Sequence, residues 1–191
     1  ERIRHLIQLF KTQLLAKTHA LREDLQSPMK PRQRQLCIME HLSKLFKEEL
    51  DAYSVPFKIA PSGNRVYYLI GLSKHARGYQ IMKDIMASES PKIEGVPLME
   101  FNPKFESHQL LLGKMGPLDD LARQLKKYYS GRSVSPEEML IDHGVGKPYI
   151  LSNYQKACIK LFNDEYVTPS RKPARKNTWA KDIKAEFPVC E

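Results

Sequence analysis

The sequence predicts an α+β fold: a helix-rich partial α/β unit with a β-hairpin, followed by a smaller helical module that closes on a second hairpin. Three observations predict it. Apolar residues recur at helical spacing over residues 1–53 and again from residue 117. Between those stretches lie two runs rich in β-branched and aromatic residues, separated by Pro61-Ser62-Gly63-Asn64. Near the C-terminus, Arg171, Lys172, Arg175 and Lys176 crowd into one loop between two short β-prone segments.

The 191 residues are 41% hydrophobic and 28% charged, ordinary values for a chain that buries a core. Mean hydropathy is -0.50, and no apolar run approaches the roughly 18 residues of a membrane span. Glu1-Arg2-Ile3-Arg4-His5 opens an amphipathic pattern rather than a secretion signal, so a cytoplasmic location is expected. Cys37, Cys158 and Cys190 are far apart and odd in number. They read as free thiols, neither a disulfide framework nor a zinc site. The net charge of +9 favours an anionic partner, because lysine and arginine displace counterions from phosphates.

In order, Ile3, Leu6, Ile7, Phe10, Leu14, Leu21 and Leu25 mark a first helix, broken at Ser27-Pro28-Met29-Lys30-Pro31. A second helix is expected over residues 32–53, with Leu36, Met39, Leu42, Phe46 and Leu50 as its stripe. Residues 56–60 and 65–73 read as paired strands. The near-continuous apolar character of the second predicts burial on both faces. Residues 79–86 read as a helix with Ile81, Met82, Ile85 and Met86 inward. These elements form a unit over residues 1–90. Residues 91–116 read as a connector rich in proline and glycine, with short strands near residues 98–101 and 109–112.

The third unit, residues 117–191, is the most informative. A helix over residues 117–129 ends at Gly131. Ser135-Pro136-Glu137-Glu138 then combines a serine cap, a proline at the first helical position and a glutamate three residues on. That short helix stops near His143-Gly144. Ser152-Asn153-Tyr154-Gln155 reads as another capping box, opening a helix to about Asp164. Residues 166–168 and 178–180 bracket the basic loop as strands. Helix, short helix, helix, strand, basic loop, strand is the order of a winged helix-turn-helix.

In such motifs the second helix enters the major groove with its N-terminal residues on base edges. The outward residues would be Asn153, Gln155, Lys156 and Lys160, and the wing cations Arg171, Lys172, Arg175 and Lys176 would hold phosphate. The expectation is a nucleic-acid-binding accessory region whose partner is double-stranded DNA. The competing readings are a protein-protein adaptor and a cationic hairpin that is only a solvated edge. At Lys74-His75-Ala76-Arg77-Gly78, Lys74, His75 and Arg77 are candidate phosphate or anion contacts. The plainer reading is a turn in which Gly78 supplies an unusual backbone angle. His5, His19, His41, His108 and His143 share no metal spacing, and the motifs of nucleotide-binding loops, hydrolase nucleophiles and zinc peptidases are missing. No catalytic residue, metal or cofactor is assigned, and the chain by itself is not expected to be an enzyme.

The string from Val66 to Met86, VYYLIGLSKHARGYQIMKDIM, resembles the segment YYLIFAS-H-x-x-G-x-x-[IM]M-K-x-I-M of the three-Cys-motif partner (TcmP) proteins. Ser152-Asn153-Tyr154 with Ala157, followed by a basic wing, is similar to their C-terminal region. The resemblance runs from about Arg32 onward and covers only the C-terminal part of such a protein. It implies a bacterial or phage-associated protein paired with a three-cysteine partner protein. It also implies that the hairpin closes a Rossmann-like, methyltransferase-like sheet. This sequence has no glycine-rich cofactor loop, acidic ribose-binding strand end or Asn/Asp-Pro-Pro-Tyr tetrad. No S-adenosylmethionine contact is therefore carried over, and a second function follows: a C-terminal fragment of a methyltransferase-like enzyme without its cofactor site.

Overall fold

The computed structural model describes residues 26, 28–61, 66–102, 116–172, 175 and 177–189. The expected helix over residues 1–25, most of the turn at 61–64 and the strand near 109–112 lie outside these residues, as do His5, His19, His108, Lys176 and Cys190.

Helix α1, Pro31–Leu50, starts at a proline, where the missing N–H costs no bond, and Gln33 Oε1 accepts from the Lys30 N–H at 3.1 Å. It stops earlier than residue 53 because Asp51 turns left-handed, with φ of 47°, and Ala52 N–H bonds back to the Phe46 carbonyl. Strand β1, Tyr53–Ile59, therefore begins three residues before the expected Pro56. It pairs antiparallel with β2, Tyr67–Ser73, and parallel with β5, Glu100–Phe101, giving the order β2-β1-β5. Pro56 sits in the central strand without breaking a ladder. Lys58 and Ala60 donate to Met99 and Phe101, so the even positions face β5, which pairs only from Lys58 onward.

Burial of β2 on both faces is corrected. Tyr67, Leu69 and Leu72 are exposed, because β2 is the edge strand and a continuous apolar run does not reveal how many faces are covered. Helix α2, Ala76–Ser88, lies close on the sheet, where a Cβ on Gly71 would come within 2.9 Å of Met82 Sδ. Its phase also differs from the expectation. Tyr79, Gln80, Lys83 and Ala87 are buried, while Ile81 and Ile85 are exposed. Gly78 lies inside this helix rather than in a turn. A side chain there would meet Ser73 Oγ at 2.4 Å, so close approach, not an unusual angle, explains the glycine.

The stretch read as a connector carries structure. Strands β3, Lys92–Ile93, and β4, Val96–Pro97, form a hairpin whose two turn residues, Glu94 and Gly95, both have positive φ, as a tight two-residue turn requires. Beyond it come α3, Pro117–Tyr128; β6, Ser133–Val134; α4, Pro136–Asp142; α5, Leu151–Asn163; β7, Thr168–Pro169; and β8, Ala185–Glu186. Acidic residues in the first turn of α3 and lysines in its last complement the helix dipole. The α4 capping box forms as read, Glu138 N–H to Ser135 Oγ at 3.3 Å and Ser135 N–H to Glu138 Oε2 at 2.8 Å. The strands order β6-β8-β7.

Two expectations here are corrected. Ser152 does not cap α5. The helix starts at Leu151 with Ile150 at the cap, and Asn153 Oδ1 accepts the Ile150 N–H at 3.0 Å. The returning wing strand is Ala185–Glu186, not residues 178–180. Trp179 is buried there, donating from Nε1 to the Ile183 carbonyl at 2.7 Å.

One apolar cluster joins Val55, Phe57 and Tyr79 of the first unit to Leu121, Met139, Tyr154 and Leu161 of the last. Two polar links reinforce it. Lys83 Nζ and Tyr79 Oη both donate to the Gly144 carbonyl, at 2.6 and 2.8 Å, and Asn153 Nδ2 donates to the Gly95 carbonyl at 2.9 Å.

Candidate nucleic-acid interface

Helix α5 packs against α3 and α4, and its inner side is Tyr154, Ala157, Cys158 and Leu161. Burial pushes the Cys158 thiol up to about 12, so it is an inert core group. The outward stripe is set by the start at Leu151. Ser152, Lys156 and Asn163 are exposed and Ile159 is half-buried, at spacings of four, three and four.

The four helix residues assigned from sequence separate. Asn153 is fully buried, its amide divided between the Ile150 N–H and the Gly95 carbonyl, so its assignment to base edges is corrected. The error follows from the capping shift: with Leu151 at the first position, Asn153 becomes the third helical residue and bonds back to the cap. Replacing it with alanine orphans a buried N–H and a carbonyl and is expected to cost about 2 kcal/mol in urea unfolding. Asn153→Asp should cost at least as much, because a buried carboxylate oxygen would then face the Gly95 carbonyl oxygen. Gln155 is half-buried and donates to the Trp179 carbonyl at 2.7 Å, so it anchors the wing rather than facing outward. Lys160 forms an ion pair with Asp119 of α3. Lys156 is exposed as expected, near the β3–β4 turn.

The wing spans the residues between β7 and β8. Arg171 is exposed but pairs with Asp182 at 2.6 Å. Both groups are largely solvated, so the pair contributes about 0–1 kcal/mol and exchanges readily for another anion. Lys172 and Arg175 are exposed and form no ion pair among the described residues. They line a groove of about 310 Å3 with Ile159, Phe162 and Asn163 of α5 and Asn177, Thr178 and Trp179 of the wing. Phe162 stands exposed at its edge, edge-on to Trp179 at 6.2 Å. Sequence reasoning missed Ser152, Phe162, Asn163 and Asn177. Counting the outward period from Leu151 would have found Ser152 and Asn163.

Lys74 and His75 lie exposed in the β2–α2 turn, whose backbone Ser73 Oγ ties down by bonds of 2.9 and 3.1 Å to His75. Arg77 donates to Gln80 at 3.1 Å. Among the described residues no group of three His, Cys, Asp or Glu side chains can hold a metal ion, and no helix is long and apolar enough to cross a membrane.

Three helices, a wing and a strand order of β6-β8-β7 define a winged helix-turn-helix within an α+β chain. Residues 100–174 match the family model of the GMT-like wHTH domain, a stretch running from β5 into the wing. No curated protein and no solved structure matches the chain.

Proposed function

We propose that the winged helix binds nucleic acid, duplex DNA in the first instance. The outer stripe of α5 lies toward a groove, and the wing cations hold phosphate. The observation that carries this reading is the groove itself. Lys172 and Arg175, unpaired among the described residues, share it with Phe162 and Asn163 at the end of α5. Cations released from internal pairing gain most from displacing condensed counterions. Ser152, Lys156 and Asn163 replace Asn153 and Gln155 as the base-facing set, since the buried amide is already satisfied and the glutamine holds the wing. Arg171 joins the phosphate contacts by exchanging Asp182 for phosphate. Lys160 is secondary, and Lys176, outside the described residues, is carried as proposed from sequence.

An electrophoretic shift assay with duplex DNA at two salt concentrations tests the reading. Lys172→Ala and Arg175→Ala should each weaken binding on every sequence and reduce the salt slope by about one. Unchanged affinity and slope in the double variant would remove the wing from the interface. Binding of a protein partner with salt-insensitive affinity would favour the adaptor reading instead. On the likeness of Val66 to Met86 and of Ser152 to Ala157, we also propose kinship with the three-Cys-motif partner proteins, a three-cysteine companion protein and, as a second reading, a fragment of a methyltransferase-like enzyme. Calorimetric titration with S-adenosylmethionine should show no heat for this chain.

A further inference from the structure

The first unit and the winged helix line an open cavity of about 850 Å3 between α1, β1, the β4–β5 segment, the start of α3 and the turn before α5. That size suits a small organic molecule. Much of the wall is apolar, including Met39, Val55, Leu98 and Met99. Two polar groups on it are unusual. Ser54 is 1% exposed, and its hydroxyl has no hydrogen-bond partner among the described residues. Lys83 is 2% exposed and gives two of its three N–H donors to neutral oxygens, Tyr79 Oη at 2.8 Å and the Gly144 carbonyl at 2.6 Å.

Asp84 attracts the Lys83 charge without a hydrogen bond or ion pair to it among the described residues, and burial outweighs that attraction. The acidic groups on the cavity wall are engaged elsewhere or solvated. Glu100 is engaged by Lys58 at 3.2 Å, Asp120 by Arg123 at 2.5 Å, and Glu40 is solvent-exposed. Lys147, also on the wall, adds a second ammonium that repels the first. A buried ammonium held only by neutral oxygens is costly, and burial brings Lys83 down to about 7. An anion arriving from the cavity would offset the desolvation of both lysines and occupy the orphaned hydroxyl.

We propose that this cavity binds a small, largely apolar molecule ending in a carboxylate or similar oxyanion, with the anionic end received by Lys83 and Ser54. The site is independent of the nucleic-acid reading. It also touches the turn from Gly146 to Tyr149 that leads into α5.

Two fluorescent probes with the same aromatic body, anionic anilinonaphthalene sulfonate and uncharged phenylnaphthylamine, test it on the full chain. One anionic probe per chain is expected, bound roughly tenfold tighter than the neutral one, the weight of a hydrogen bond to a charged group. Lys83→Met should erase that preference and leave the neutral probe unchanged, and Ser54→Ala should reduce it. Equal affinity for the two probes, or a preference that survives Lys83→Met, overturns the proposal and assigns binding to exposed side chains such as Leu69 and Ile85. If Lys83→Met loses cooperative melting, Lys147→Met and Ser54→Ala decide. An undiminished preference in both overturns it equally.

Discussion

Acidification from pH 6.5 to 4 is expected to destabilise the protein by about 3 kcal/mol through His143 alone. The imidazole is 3% exposed, within ring contact of Tyr128, Tyr149 and Tyr154. Lys147 Nζ lies 2.5 Å from its Nε2, and an ammonium can only donate, so Nε2 accepts and Nδ1–H donates to Tyr154 Oη at 3.0 Å. Burial first, and the Lys147 charge second, lower its pKa from 6.5 to about 4. The folded state therefore binds fewer protons than the unfolded chain across that window. The stabilisation is complete above 6.5 and is lost as pH falls toward 4.

Other groups act elsewhere on the pH scale. Lys83, down to about 7, is protonated in both states below that, so its contribution grows only as pH rises above 7. Asp120 and Glu138, held below their ordinary values by hydrogen bonds, lose their contributions under about pH 4. Urea unfolding at three pH values between 4.5 and 7 checks this. His143→Gln, which bonds on both sides without titrating, should flatten the slope. Equal slopes in variant and parent would remove His143 as the source.

What was legible in the sequence was whatever local chemistry decides. The start of α4 was readable because Ser135 and Glu138 satisfy each other's backbone within one turn. The order of the winged helix followed from punctuation of the same kind. What was not legible depends on partners distant in sequence. Lys83 lies on the inner side of α2 because its acceptor, the Gly144 carbonyl, is 61 residues away, and no periodicity in residues 79–86 encodes that. Ile81 and Ile85 consequently face outward. The strand Ala185–Glu186 has two residues and no pattern of its own. It exists because Val134 and Pro169 flank it, whereas Trp179 looked strand-like and is a core anchor. Among the site residues, exposure of Lys156, Lys172 and Arg175 was readable from charge. The loss of Asn153 to the hairpin turn at Gly95 was not.

Gly144→Ala should be among the most damaging single substitutions in the chain, costing about 3–5 kcal/mol. Gly144 follows α4 and donates its N–H to the Met139 carbonyl at 3.1 Å. A Cβ there would sit 2.3 Å from the Leu140 carbonyl oxygen and 3.1 Å from Tyr154 Oη. The closer atom is backbone and cannot rotate away, so the chain itself must move. Movement drags the Gly144 carbonyl off Lys83 and Tyr79, leaving two buried donors without their acceptor. Gly146→Ala is the control. Nothing lies within 4 Å of its added Cβ, and only its φ of +73° opposes the change, worth about 1–2 kcal/mol. Denaturant unfolding of both variants measures the difference. A Gly144→Ala cost no larger than that of Gly146→Ala would mean that α2 does not hold the turn before α5 through this carbonyl. The Asn153 bond to the Gly95 carbonyl, which ties α5 to the β3–β4 turn, would be unaffected.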